Sequence, residues 1–461
     1  MMKKYADVTR DEHLPGLRHI FDPHTLRRLF QQRLDNFDRT RYELEHVRMV
    51  QFKYKPGRRC EVIFRIRCRE RATGAIERQM LSGIVLPDEL AKRRFQEERT
   101  RQYSRPKVGP AVQLFEDLGL ILWGFPNDPK IARLHDIIND EKLKELVVSH
   151  AEAFNLPENH SLETIKTQIV KYVPHDRCTL VHRLQFGQNG TNPIHAFFSK
   201  TYGRKTDVRP IYRLIQTLWQ ACTEKESAFL VPKPLLFHPE TNTLFFHQLD
   251  GRHVLDSMDA ADTDDVAVKC GKALAQMQQV PLELTDYKSR QSEYSEFIES
   301  KEVVERALPP FKKALHSIEK RIVQLFPTLP ELPVVPNHGA FRLSQLMLVD
   351  GKIAILDFDG FLMADAILDV ASFVTHSLYL AVKEELSFET SKKLIERFCQ
   401  AYAQHTPWGL AEDVLTWFTA CMLISKHAKK YVKLARVNQS AIVGRLVDLS
   451  AQLLDGTWKP V

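Results

Sequence analysis

The chain has 461 residues, of which 44% are hydrophobic and 9% aromatic. This length exceeds what one hydrophobic core of ordinary size holds, so two or three packed units are expected, and the composition excludes broad disorder. The 65 basic and 58 acidic residues leave a net charge of +7, which is small for this length. That charge mildly favours anionic ligands and argues against a nucleic-acid-binding protein.

We expect neither a membrane span nor a secretion signal. The longest strongly apolar run, residues 118–123, is far shorter than the roughly 20 residues that a membrane-spanning helix needs. Residues 1–10 are charged and lack the apolar stretch of a signal peptide. A cytoplasmic location is therefore expected. The seven cysteines form no CxxC pair, so reduced and mostly buried side chains are predicted.

One segment of the first half occurs twice. Residues 53–60 (KYKPGRRC) return as residues 171–178 (KYVPHDRC), and an arginine follows each copy, at Arg65 and Arg183. Six identities share one offset (172 − 54 = 118), which is not expected by chance. We interpret the segments as two copies of one structural unit. The alternative, two β-rich modules that only share turn chemistry, stays open.

Each copy is predicted to contain the same elements in the same order. A strand, a tight proline-containing turn and a second strand come first, because β-branched and aromatic residues flank turn-forming residues. A third strand, a helix and a closing hairpin follow, at 78–86, 89–103 and 112–125 in the first copy and at 194–202, 208–222 and 235–248 in the second. The glycine-containing residues 187–190 (GQNG) are interpreted as a hairpin turn in preference to a phosphate loop.

The most informative stretch lies in the second half. Residues 337–348 (NHGAFRLSQLML) predict a loop and an apolar strand, and the turn Asp350-Gly351 leads into a second apolar strand. That second strand ends in two carboxylates, Asp357 and Asp359. An acidic residue at the open end of such a hairpin is well placed to hold a cation.

At these residues the chain resembles the aminoglycoside phosphotransferase and choline kinase-like superfamily. Its pattern is His-Gly-Asp, four residues, Asn or Gln, a short hairpin and a strand end that contains Asp. The resemblance extends over roughly residues 168–380. It implies an α+β, two-lobed protein kinase-like fold, ATP and Mg²⁺ as cofactors, and phosphate transfer to a hydroxyl group of a small molecule.

The resemblance also implies roles for residues of the second half. Asp357 and Gln345 would bind the Mg²⁺ that bridges the nucleotide phosphates, because Mg²⁺ prefers oxygen ligands. In the catalytic loop, His338 would be structural and Arg342 would add positive charge near the transferred group. Asp359 would support the metal or the loop.

Residues of the second copy would face the nucleotide. Lys200 matches the lysine that contacts the nucleotide phosphates. Gln248 and Leu249 follow an apolar strand at the position where a kinase hinge presents backbone groups to adenine. In the first copy, the offset of 118 places Ser82 opposite Lys200 (200 − 118 = 82).

The chain departs from the family pattern at its most important position. Ala340 stands where the family has the aspartate that orients the acceptor hydroxyl and takes its proton. Alanine does neither, so a loss of about 10²- to 10⁴-fold in rate is expected. Three interpretations remain open: a weak or atypical phosphotransferase acting on a sugar or aminoalcohol, a pseudokinase that binds nucleotide or ligand in a regulatory or scaffolding role, and a purely structural use of the fold.

Four segments are predicted along the chain. They are a helical leader (1–45), an accessory small-lobe-like module (46–150), a kinase-like small lobe (160–252) and a helical large lobe with the catalytic loop and metal hairpin (253–461). The accessory module is expected to cap the cleft or to bind a protein partner. Residues 426–436 form a basic run, interpreted as a solvated helix face in preference to a phosphate contact.

Overall fold

The computed structural model describes residues 6–156, 162–187, 196–224, 226–258, 263–434 and 438–459. Residue 194, the predicted start of a strand, and most of the predicted turn at 187–190 lie outside the described residues. The chain divides into two compact units. The first contains Met1–Val208 and Leu235–His247, and the second contains Arg209–Pro234 and Gln248–Val461.

Strands and helices occur mostly in separate runs along the chain, so the predicted α+β class is confirmed. The strands are β1 (Tyr42–Lys55), β2 (Arg59–Glu70), β3 (Ile76–Val85), β4 (Val112–Phe115), β5 (Leu120–Gly124), β6 (Leu162–Val173), β7 (Arg177–Phe186), β8 (Ala196–Tyr202), β9 (Phe229–Leu230), β10 (Pro234–His238), β11 (Thr243–His247), β12 (Arg252–His253), β13 (Tyr287–Lys288), β14 (Val334–Asn337), β15 (Leu346–Val349), β16 (Lys352–Ile355) and β17 (Leu362–Asp365).

The α-helices are α1 (Ala6–Thr9), α2 (Leu17–Ile20), α3 (Pro23–Arg33), α4 (Asp88–Arg99), α5 (Leu134–Ile138), α6 (Asp140–Ser149), α7 (Arg209–Glu224), α8 (Thr263–Gln278), α9 (Arg290–Ala307), α10 (Lys312–Leu325), α11 (Leu368–Val382), α12 (Phe388–His405), α13 (Glu412–Met422), α14 (Lys429–Lys433) and α15 (Gln439–Leu454). In the two copies, the predicted third strands are β3 and β8, the predicted helices are α4 and α7, and the predicted hairpins are β4–β5 and β10–β11. α7 belongs to the second unit, although the sequence predicts it as part of the small lobe.

The first unit contains two five-stranded sheets of equivalent topology. One has the strand order β1-β2-β3-β5-β4, and the other, taken from β6, has the order β6-β7-β8-β11-β10. Alternate residues of β2 are buried because successive side chains of a strand point to opposite faces. The buried face of β2 consists of Cys60, Val62, Phe64, Ile66 and Cys68.

An aspartate holds the tight turn between the first two strands of each sheet. Asp128 is 3% exposed, and its Oδ2 accepts hydrogen bonds from the Tyr172 hydroxyl at 2.7 Å and from the His175 backbone N–H at 2.8 Å. His175 has a φ of 66°, a left-handed conformation that the turn requires. The aspartate therefore stabilises a turn that costs backbone strain.

The first sheet has the same arrangement around Asp11. Its Oδ2 accepts from the Tyr54 hydroxyl at 2.7 Å and from the backbone N–H of Gly57, which has a φ of 64°, at 2.8 Å. The spacing between the two aspartates (128 − 11 = 117) also separates the helix-capping residues Asp22 and Asn139 (139 − 22 = 117). The helix pairs α2–α3 and α5–α6 thus precede the two sheets in equivalent positions.

We predict that Asp128→Ala lowers the free energy of unfolding by roughly 2–4 kcal/mol, because it leaves buried donors without an acceptor. Chemical denaturation followed by circular dichroism measures the effect. Asp11→Ala is the matched control, and because Asp11 is only half-buried a smaller loss of about 1–2 kcal/mol is expected. Equal stability of the Asp128 variant and the parent would contradict the prediction.

The second unit is mainly helical and carries two small sheets. Their strand orders are β12-β15-β16-β9 and β13-β17-β14. α11 is buried along nearly its whole length, and Phe373 on α11 stacks on Phe398 of α12 with ring centroids 3.8 Å apart. Phe341, which follows β14, packs beside both rings. These contacts anchor the loop after β14 in the core of the unit.

Two predictions from composition can be compared with the structure. All seven cysteines are buried and free, as predicted. Burial raises the pKa of the Cys60 thiol to about 12, because it disfavours the charged thiolate. Among the described residues, no helix is both long enough and apolar enough to cross a membrane.

Candidate active site

The loop after β14 begins at a buried asparagine. Asn337 accepts hydrogen bonds through Oδ1 from the Gln278 side chain at 3.1 Å and from the Asp369 backbone N–H at 3.2 Å. Its side-chain amide donates to the carbonyl groups of Val335 at 3.0 Å and Ala364 at 3.2 Å. Both ends of the Asn337 side chain are satisfied, which fixes the start of the loop.

Asp369, in the first turn of α11, holds the loop itself. Its carboxylate is fully buried and accepts from the backbone N–H groups of His338 at 2.5 Å and Phe341 at 3.3 Å. Burial raises the pKa of Asp369 to about 7, and the hydrogen bonds from the loop backbone oppose that rise. The backbone around Gly339 and Ala340 is therefore held on both sides.

His338 joins the loop to the hairpin. Its ring is fully buried, and Nε2 lies 2.8 Å from the carbonyl oxygen of Leu356, so this nitrogen carries the proton and donates it. Phe358 and Phe361 surround the ring, with centroids 5.9 Å and 5.3 Å from that of His338. A buried ring with these contacts positions the loop and does not reach solvent.

The two expected metal ligands are in contact. Gln345 Nε2 donates to Asp357 Oδ2 at 3.1 Å, and the Leu356 backbone N–H donates to the Gln345 carbonyl at 2.9 Å. Asp357 has a φ of 69°, a left-handed conformation that aspartate adopts more readily than most residues. The pair lies where β15 begins and β16 ends.

This pair fits a Mg²⁺ ion in donor chemistry. Rotation of the Gln345 amide by half a turn presents its oxygen, so that one carboxylate and one amide oxygen face the same point. Within the part of the chain that the structure describes, no group of three or more His, Cys, Asp or Glu residues is arranged to hold a metal. Mg²⁺ commonly takes one or two protein ligands and completes its shell with water and phosphate oxygens.

Asp359 and Arg342 lie beside this pair. Asp359 is half-buried in the 3₁₀ turn Phe358–Gly360, directly after Asp357. Burial lowers the pKa of Arg342, and the nearby Asp357 carboxylate opposes that shift. The structure thus brings His338, Arg342, Gln345, Asp357 and Asp359 together in the second unit.

The expected nucleotide-contacting residues lie in two units. Lys200, on β8, is 9% exposed, and its Nζ lies 5.4 Å from the centre of the Tyr202 ring. It belongs to the first unit, whereas Gln248 and Leu249 belong to the second. The Gln248 side chain donates to Asp250 at 3.4 Å. The roles of all three remain predictions.

A cavity of about 370 Å³ opens beside the loop, within the second unit. Its lining includes Ala340, the middle of α11 and part of the π-helix Leu423–Ala428. The basic run at residues 426–436 contributes Lys426, His427 and Lys430 to this lining. His427 is 9% exposed and stacks on Tyr379 with centroids 4.1 Å apart, so the interpretation of the run as a solvated face is wrong for His427.

The sequence analysis missed the cavity residues on α11. Thr375 and His376 lie inside a long apolar stretch, where a polar side chain gives no local sign that it lines a cavity. Arg436, the last basic residue of the run, lies outside the described residues. A π-helix has no readable sequence pattern, so the position of Lys426 could not be predicted.

Residues 208–412 match the phosphotransferase enzyme family APH. The match contains the loop, the hairpin and the cavity residues of α11. It confirms the resemblance over this segment. No curated protein matches the chain.

Several solved structures resemble the chain at low sequence identity. A putative aminoglycoside phosphotransferase from Ralstonia eutropha JMP134 shares 14% identity, covering 68% of this chain and 97% of its own, with a TM-score of 0.48. Choline kinase from Cryptosporidium parvum Iowa II shares 12%, covering 63% and 89%, with a TM-score of 0.44. A choline/ethanolamine kinase family protein from Mesorhizobium loti shares 10%, covering 67% and 95%, with a TM-score of 0.43.

Proposed function

We propose that the protein is an ATP-dependent phosphotransferase that acts on a hydroxyl group of a small molecule, of the sugar or aminoalcohol class. Its activity is weak or atypical because Ala340 replaces the proton-accepting aspartate. The observation that carries the proposal is the contact between Gln345 and Asp357, at 3.1 Å, beside a loop that Asp369 holds. The family match over residues 208–412 supports it.

In this proposal, Asp357 and Gln345 hold Mg²⁺, which would neutralise charge on the transferred phosphate. Arg342 adds positive charge near that phosphate, and Asp359 supports the metal or the loop. His338 keeps the loop against the hairpin through its bond to Leu356. Positioning and electrostatics supply most of the catalysis in phosphate transfer, so a site without a base retains part of it.

On the nucleotide side, Lys200 contacts the phosphates, and Gln248 and Leu249 present backbone groups to adenine. These assignments follow the family pattern. The expected cytoplasmic location belongs to the same proposal.

The second candidate is a pseudokinase that binds nucleotide and regulates or scaffolds another protein. Ala340 favours it, because alanine cannot accept the proton of the acceptor hydroxyl. The two candidates differ in turnover and agree in nucleotide binding.

We also propose that the two sheets of the first unit are copies of one kinase-like small lobe. Their equivalent strand orders, and the aspartates Asp11 and Asp128 that hold equivalent turns, support this. The helix pairs α2–α3 and α5–α6 precede the two sheets in equivalent positions. In this proposal the first copy therefore begins near Asp11 and includes most of the predicted leader (1–45).

The offset prediction of Ser82 opposite Lys200 is wrong by strand register, because Thr179 pairs with Lys200 whereas its equivalent Glu61 pairs with Ile84. An isoleucine, Ile84, thus takes the position of Lys200, and the first copy lacks the phosphate-binding lysine. Its proposed role is to bind a protein partner.

We predict that Asp357→Asn weakens the binding of ATP with Mg²⁺ by at least roughly tenfold, because it removes the only charge of the proposed ligand pair. Asparagine also adopts the left-handed conformation at this position, so the hairpin is expected to fold. Isothermal titration calorimetry with ATP and Mg²⁺ measures the effect.

The control variant is Asp350→Asn, on the turn of the same hairpin. Asp350 also has a positive φ, of 47°, so both variants make the same chemical change in the same type of backbone. The control should bind ATP like the parent. If the parent does not bind ATP with Mg²⁺, or if the two variants bind equally, the proposed site is wrong.

A further inference from the structure

The cavity beside the loop has an excess of positive charge. Four cationic side chains and one carboxylate line it: Arg342, Lys383, Lys426, Lys430 and Glu385. Lys383 forms an ion pair with Glu385, and Lys426 pairs with Glu296 at 2.7 Å, just outside the lining. Among the lining residues themselves, four cations stand against one carboxylate, and Glu296 and the Asp357 carboxylate near Arg342 offset part of this charge from outside the lining. A cavity with walls of one sign raises the local concentration of ligands of the other sign.

Three polar atoms of buried or half-buried side chains around the cavity have no hydrogen-bond partner in the described ranges. They are Arg342 Nε, Thr375 Oγ1 and His376 Nδ1. Thr375 is 1% exposed and His376 is 7% exposed, and all three residues line the cavity. Buried polar atoms in folded proteins are nearly always hydrogen-bonded, so these atoms indicate a ligand with polar groups of its own.

The local backbone also marks the cavity as a site. The π-helix Leu423–Ala428 lies between α13 and α14 and carries Lys426 and His427 into the lining. π-helical turns are rare and occur frequently at functional sites. His427 stacks flat on Tyr379, which gives the cavity a rigid aromatic wall. At about 370 Å³, the cavity is at the small end of ligand pockets.

We propose that this cavity binds the oxyanion of an anionic acceptor, a hydroxyl compound that carries a phosphate or carboxylate group. Arg342 and Thr375 donate hydrogen bonds to the oxyanion, and the lysines supply attraction at longer range. The role of the bound anion as a phosphate acceptor rests on the proposed function, whereas the anion site itself does not. Within the proposed sugar or aminoalcohol class, the charge selects an acidic sugar over a cationic aminoalcohol.

The test measures binding to the full chain by calorimetry, without nucleotide or Mg²⁺. The probes are glucose 6-phosphate, glucuronate, glucose, glucosamine and inorganic phosphate. The protein should bind at least one of the two acidic sugars. Its affinity for glucose and glucosamine should be roughly 10- to 100-fold lower than for that acidic sugar, as expected for lost charge-assisted hydrogen bonds. Equal affinity for glucose and both acidic sugars would overturn the anion site. Tighter binding of inorganic phosphate than of either sugar would overturn the acceptor role.

Two variants locate the site. Thr375→Val keeps the side-chain shape and removes the hydroxyl, and Arg342→Gln removes the charge. Each should weaken anion binding roughly tenfold. Lys433→Gln is the control, because Lys433 belongs to the same basic run but does not line the cavity. An equal effect of all three would refute the assigned location. Thermal denaturation checks that each variant is folded.

The Asp357→Asn variant separates this inference from the proposed function. It should bind the acidic sugar at least as tightly as the parent, because the substitution removes a carboxylate near Arg342, and it should lose affinity for ATP with Mg²⁺. A second measurement uses the parent protein with saturating ATP. If ATP then abolishes binding of the acidic sugar, the anion occupies the nucleotide site, and the inference is overturned. If the parent binds the acidic sugar but does not bind ATP with Mg²⁺, the proposed function is refuted and the anion site is retained.

Discussion

Ala340→Asp is expected to raise the rate of ATP turnover by roughly 10²- to 10⁴-fold, the usual contribution of a general base. The loop that carries Ala340 is already held, since Asp369 binds the backbone of His338 and Phe341 on either side. Ala340 also lines the cavity. A carboxylate at this position would therefore enter a preformed site, close to the positive charge of Arg342. Steady-state ATP hydrolysis with Mg²⁺ measures the rate.

The control is Ala340→Asn, which has nearly the size and polarity of aspartate but cannot accept a proton at neutral pH. It should remain near the parent rate. If both variants gain equally, a general base is not the cause. If neither gains while ATP still binds, the site has lost more than one residue, and the pseudokinase candidate is the better description.

Asp369→Ala is expected to lower the free energy of unfolding by about 3–5 kcal/mol. The substitution leaves the backbone N–H groups of His338 and Phe341 buried without an acceptor, at roughly 1–3 kcal/mol for each, and it opens a small cavity in the core. Chemical denaturation measures the loss. Asp369→Asn is the matched control, because its remaining oxygen still accepts a hydrogen bond, and a smaller loss of about 1–2 kcal/mol is expected.

The same residue gives stability a pH dependence. Burial raises the pKa of Asp369 to about 7 in the folded chain, from an ordinary value of 3.8. Between these values the unfolded chain releases the proton while the folded chain keeps it. The contribution of Asp369 to stability is therefore largest below pH 3.8, declines by about 1.4 kcal/mol per pH unit as the pH rises, and is constant above pH 7.

In Asp369→Asn this part of the pH dependence is absent. The difference in unfolding free energy between parent and variant should thus change between pH 4 and pH 7 and should be flat from pH 7 to pH 8. A constant difference across the whole range would show that the carboxyl group titrates normally, in spite of its burial.

The elements of both sheets were predictable because their signals are local. The β-branched and aromatic residues beside the turns, the proline within each turn, and the Asp350-Gly351 turn between β15 and β16 each reflect the conformational preference of a few neighbouring residues. The offset of 118 found the repeated turns. The loop and hairpin were recognised by the spacing of His338, Gln345 and Asp357.

The equivalence of the helices before each sheet was not predicted. Asp11 and Asp128 are separated by 117 residues, so one inserted residue breaks the offset that relates the strands. Only the hydrogen bonds to the turns make the two aspartates comparable. α7 likewise has a clear helical pattern in the sequence, but which unit it packs in depends on contacts with residues far along the chain.

The sequence by itself determined the class of fold and most strands and turns, because neighbouring residues encode these. The metal ligands Asp357 and Gln345 are a prediction from the family resemblance. Only the tertiary structure decided that Arg342, Thr375 and Lys426 line one cavity. These residues come from a loop, the interior of an apolar helix and a π-helix, and each is unremarkable within its own segment. Packing brings them together, and the shared charge of the cavity exists only after folding.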